Sequence, residues 1–111
     1  MVFVLETETR ALAVHGDEAA AVQRYEGIDV EAAQYLFWSA DGTPLVPFFT
    51  VPNKRGWFSI QSGTYHLVKA TQKDHAKLLE ALDDAVHLEP NSYFSSLIEI
   101  RAHIRQASTG T

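Results

Sequence analysis

The chain has 111 residues, 46% of them hydrophobic and 21% charged, with no cysteine and a formal net charge of −5. That length and composition fit a single globular domain spanning 1–111 with its own core, far from the disordered class. The lack of cysteine excludes disulfides, iron–sulfur clusters, thiolate zinc sites and thiol nucleophiles.

In chain order, Val2 to Val14 reads as strand, bend and strand. Phe3 and Leu5 alternate with Val4, Glu6-Thr7-Glu8-Thr9 interrupts the pattern, and Ala11 to Val14 resumes it. Glu6 and Glu8 end the first apolar run before a signal-peptide core is complete. No stretch approaches the roughly 18 apolar residues of a membrane span. A cytoplasmic protein with no membrane partner is the expectation.

Asp17 is a good N-cap for a short helix over about 19–25, and Gly27 is expected to end it in the left-handed conformation. Gln34 to Trp38 forms a strand, and Asp41-Gly42 makes a hairpin turn. The return strand runs from about Leu45 to Val51. Pro44, Pro47 and Pro52 cannot donate ladder hydrogen bonds, which places this strand at an edge or gives it a bulge. Trp57 to Gln61 and Thr64 to Lys69, joined by Ser62-Gly63, complete an antiparallel meander.

Thr71 is expected to cap a helix, with Asp74 in a capping-box position and Leu78, Leu79, Leu82, Ala85 and Val86 on its buried face. Pro90 ends that helix. Asn91 or Ser92 starts another, with Tyr93, Leu97, Ile100, Ile104 and Ala107 on one seam, and 108–111 form a frayed tail. The fold class is therefore α+β: an antiparallel β-meander packed with a short N-terminal helix and two C-terminal helices.

Charge is unevenly spread. Residues 1–41 sum to −6, residues 42–73 hold Lys54, Arg55, Lys69 and Lys73 with no acid, and residues 74–111 sum to −3. Four scattered positives in an acidic chain are not the dense stripe of a nucleic-acid binder, so no nucleic-acid partner is expected and a basic protein partner is. His15, His66, His75, His87 and His103 show no metal-ligand spacing, and no nucleophile motif or phosphate loop is present. The residues therefore assign no metal, no cofactor and no catalytic group, and the chain reads as a non-enzyme.

The aromatic residues say more. Phe37-Trp38, Phe48-Phe49 and Trp57-Phe58 are adjacent pairs on expected strands, and strand alternation sends one ring to each face. Either helices cover both faces, or a ring-rich face awaits a partner.

Glu26-Gly27-Ile28-Asp29-Val30, Asp41-Gly42-Thr43-Pro44-Leu45 and Ser62-Gly63-Thr64-Tyr65-His66-Leu67 are the turn motifs around which this small acidic chain is laid out. In size, layout and charge it resembles the stand-alone immunity proteins that bacteria encode beside secreted antibacterial toxins, including type VI and other polymorphic toxin effectors. That resemblance implies a tight stoichiometric inhibitor of a cognate toxin with a basic surface. On that basis Glu26, Asp29, Glu31 and Asp41 are expected to supply the electrostatic part of the contact surface, with Trp38 or Trp57 as anchor. Two rivals stand beside it. One is a homo-oligomeric structural or adaptor domain pairing through the Tyr93, Leu97, Ile100 and Ile104 seam. The other is a small-ligand or catalytic site using Tyr65, His66 and Lys69.

Overall fold

The computed structural model describes residues 1–57, 59–71 and 75–109. Its centre is the N-terminal hairpin of β1 (Val2–Glu6) and β2 (Ala11–His15), antiparallel with Phe3 opposite Val14. Val2 to Leu5 and Ala11 to Val14 are all buried, because both faces of this hairpin are covered. Val2 and Val4 look to one side and Phe3 and Leu5 to the other, as strand alternation requires.

The Asp17 carboxylate accepts the Ala20 amide at 2.8 Å and caps α1 (Glu18–Arg24), as its sequence position leads one to expect. Gly27 does not end that helix. It begins a second short one, α2 (Gly27–Glu31), and the left-handed residue that terminates the pair is Ala33 at φ 59°. The Gln34 amide reaches the Asp29 carbonyl and the Ala33 amide the Val30 carbonyl, the paired bonds of a Schellman cap. Gly27 has a different reason to be glycine: a Cβ there would lie 2.6 Å from the Asn53 side-chain oxygen.

After β3 (Tyr35–Ser39), Gly42 turns the chain at φ 85° into β4 (Pro44–Val51). Next comes a separate two-stranded hairpin of β5 (Lys54–Arg55) and β6 (Ile60–Gln61), then β7 (Thr64–Lys69), which pairs with β4. Trp57 consequently lies in the β5–β6 turn rather than on a meander strand, and Phe58 lies outside the described residues. β4 is an interior strand with a register shift between Phe49 and Val51, so the bulge expected from its prolines is present and the edge position is not.

The C-terminal helices differ most from expectation. The expected cap at Thr71 and Asp74 falls largely outside the described residues. α3 (Leu78–Ala81) is one turn long, and β8 (His87–Leu88) follows it, parallel to β2. The open edge of β2 captures this segment: the Val86 amide donates to the Arg10 carbonyl and the Glu89 amide to the Leu12 carbonyl. A six-stranded sheet results, in the order β7-β4-β3-β1-β2-β8. α4 (Leu97–Thr109) starts later than Asn91, whose side chain accepts the Tyr93 and Phe94 amides in a turn. Ser96 caps it by accepting the Glu99 amide, and the Glu99 carboxylate reaches back to Ser95.

Mostly antiparallel sheet with segregated helices makes the chain α+β. No helix among the described residues is long and apolar enough to cross a membrane.

Candidate functional site

Two cores flank the sheet. On one face α1 and α2 bury Val2, Val4, Phe37, Tyr65 and Leu67 beneath Ala21, Tyr25 and Val30. On the other, α3 and α4 bury Phe3, Leu5, Leu12, Val14 and Trp38 beneath Leu78, Leu82, Ile100 and Ile104. This second pair of helices stops at β3. The same face of the outer strands, carrying Val46 and Phe48 on β4 opposite Val68 and His66 on β7, lies outside that core. Phe48 is 57% exposed and its ring stands 5.2 Å from that of His66.

Between β4 and β7 in the chain, the β5–β6 hairpin forms a two-stranded sheet of its own. Trp57 at its turn is 96% exposed and Ile60 is 67% exposed, with Val51 open at its base. Phe48, Val51, Trp57 and Ile60 therefore put four large apolar side chains on the surface of one excursion of the chain. Lys54 and Arg55 are exposed on the same hairpin.

Asn53 fixes this excursion to the body. Its side-chain nitrogen donates to the Gly27 carbonyl and the Glu31 carboxylate, both at 3.0 Å, and its oxygen accepts the Gly63 amide. Glu31 thus stands next to the excursion. Glu26 and Asp29 belong to the same helix as Glu31, with Glu26 exposed at its N-cap. Asp41 is not with them: it lies at the opposite end of β3, roughly 17 Å away at the usual strand rise. There its carboxylate accepts the Ser39 hydroxyl and the Thr43 amide, bonds that lower its pKa to about 2. Asp41 builds the hairpin.

Of the two tryptophans, Trp57 is on the surface and Trp38 is interior at 2% exposure, its indole N–H donating to the Ala76 carbonyl at 2.8 Å. Sequence adjacency gave both the same signal; which strands α3 and α4 cover separates them. Of the helix seam, Ile100 and Ile104 lie in the core and Leu97 packs against it, while Tyr93 precedes α4 and is exposed. Tyr65 faces inward and His66 outward, so the two do not form one site.

Sequence reasoning missed a polar cluster on the α1/α2 face. His15 Nε2 and the Tyr25 hydroxyl are hydrogen-bonded at 2.9 Å, and the Tyr25 ring lies 4.3 Å from that of Tyr35. Burial, reinforced by the Arg24 guanidinium, lowers the His15 pKa; burial raises those of Tyr25 and Tyr35. Tyr65, whose hydroxyl donates to the Tyr25 carbonyl, is pushed up to about 12 by burial. Near neutrality these groups are uncharged and act as a polar seam within the core. The only local trace in the sequence is His15 next to the α1 cap.

The chain matches no protein-family model, no curated protein and no solved structure.

Proposed function

We propose that the chain is a cytoplasmic immunity protein, a non-catalytic inhibitor that neutralises a cognate antibacterial toxin by one-to-one occlusion. The carrying observation is the apolar excursion, on which Phe48, Val51, Trp57 and Ile60 are exposed at one end of the sheet. Large rings left in water on a folded domain are the usual anchors of a protein interface, and burying each removes about 150–250 Å² from solvent.

The acidic character supports the partner's chemistry. Glu31 beside the excursion, with Glu26 and Asp29 on the same helix, supplies negative charge to a basic surface, while the exposed Lys54 and Arg55 make the contact mixed in sign. Complementary charge of this kind raises the association rate and fixes orientation more than it adds affinity. Trp57 and Phe48 are the anchors in this reading. The test is co-expression with the product of the adjacent gene: that product should be toxic alone, harmless in the presence of this chain, and purify with it in equal amounts. Two proteins that stay apart at micromolar concentration contradict the proposal.

A further inference from the structure

Beside the excursion, but separate from it, the sheet opens between two neighbouring strands. The β3–β4 ladder pairs Trp38 with Pro44 and Phe37 with Leu45, and it stops there. In that register Leu36 would follow opposite Val46, and the next hydrogen-bonded pair would be Tyr35 and Pro47. Tyr35 turns its main-chain groups toward β4, since the Ser39 amide bonds Thr43 across that gap while the Gln34 carbonyl bonds Thr7 on the other side. Pro47 has no N–H to return, and the ladder ends before it. A cavity of about 570 Å³ occupies the opening, within the size range of small-molecule sites.

The walls are mostly apolar, with Leu36, Trp38 and Val46 among them, and two carboxylates stand at the cavity. Glu80 and Asp84, both exposed, line the cavity from α3 and the turn after it, and Tyr35 and His75 complete the titratable set. No lysine or arginine is among the described lining residues. Among the described lining residues the fixed charge is thus negative, from Glu80 and Asp84, with none positive.

We propose that this cleft binds a small amphipathic cation, an aromatic or aliphatic body carrying a protonated amine, with the body between Leu36, Trp38 and Val46 and the ammonium toward Glu80 and Asp84. The proposal goes beyond the immunity reading and needs no toxin, so either can fail alone.

Tryptamine, protonated near neutral pH, is a suitable probe, with tryptophol as its neutral counterpart and indolepropionate as its anionic one. Titrated into the full chain and followed by amide chemical shifts, tryptamine should move Leu36, Trp38 and Val46 with a dissociation constant of about 1 mM or tighter. Tryptophol should bind about tenfold more weakly and indolepropionate more weakly still. The double variant E80Q/D84N should bind tryptamine and tryptophol alike, and V46W should bind neither. Leu36 is exposed, so L36W is a second cavity-filling variant should V46W fail to fold. Shifts confined to the region around Trp57, equal binding of all three probes, or unchanged binding in L36W would overturn the proposal. Tighter binding of acetyl-Val-Lys-Val-amide than of tryptamine at the same residues would also overturn it, reassigning the cleft to capture of an extended peptide.

Discussion

Pro47 stands at the register position opposite Tyr35, and the β3–β4 ladder ends before it, at Phe37 and Leu45. An antiparallel pair needs an N–H from each residue, and proline supplies none. Replacing it by valine restores the donor, so P47V should extend the ladder by one pair. Hydrogen exchange at the amide that P47V introduces, which would donate to the Tyr35 carbonyl, is the check: marked protection is expected, and fast exchange would show that the opening has another cause.

His15 makes stability depend on pH near neutrality. Its folded pKa is lowered from 6.5, chiefly by burial and then by Arg24, so the unfolded chain binds more protons at mildly acidic pH. Stability is therefore full above 6.5 and falls as the pH drops through that value toward the folded pKa. Urea unfolding at about pH 7.5 and pH 5.5 should show this loss, and H15Q, whose amide can still bond Tyr25, should show less of it.

Asp41 acts at the acid end. Hydrogen bonds from Ser39 and Thr43 lower its pKa from 3.8 to about 2, so it stabilises the fold above 3.8 and this contribution is lost as the pH falls through 2. The side chain is exposed, which keeps the effect small. D41A should cost about 1 kcal/mol near neutrality by removing the turn's bonds, and should flatten the acid limb of the stability profile. Denaturant titrations across that range read both effects.

Ala33 sits at φ 59°, a conformation that costs an alanine about 1–2 kcal/mol relative to glycine. A33G should consequently stabilise the protein by about 1 kcal/mol, once the greater freedom of glycine in the unfolded chain is subtracted. A higher midpoint in thermal unfolding is the expected outcome.

Local signals in the sequence were legible and long-range ones were not. Asp17 as a cap, Asp41-Gly42 as a turn and the N-terminal hairpin are set by neighbours a few residues apart, and each is present. His87 and Leu88 lay within the expected helix but became a strand because β2 offered an open edge, a fact of tertiary structure. Ser96 and Glu99 did spell a capping box, and reading it would have placed the start of α4 correctly. Gly27 drew the helix end to itself on propensity, whereas Ala33 terminates the pair, held in position by Schellman bonds.

The functional surface divides along the same line. The alternation of Phe48 and Phe49 across the sheet was readable, and Phe49 does pack into the α1/α2 core while Phe48 stays outside. That α3 and α4 would end over β3, sealing Trp38 and leaving Phe48 bare, depends on helix placement. The opening at Pro47 depends on register, which no single segment of the chain encodes.

The most direct measurement is a calorimetric titration of the adjacent gene's product with the wild-type chain and with F48S/W57S. Both substituted side chains are exposed, so the variant should keep the wild-type fold and melting point. A one-to-one complex with a nanomolar dissociation constant, weakened about a hundredfold or more by the double substitution, is the expected result. Equal affinity for both forms, or no heat of binding from the wild type, would contradict the assignment of the Phe48–Ile60 excursion as the inhibitory surface.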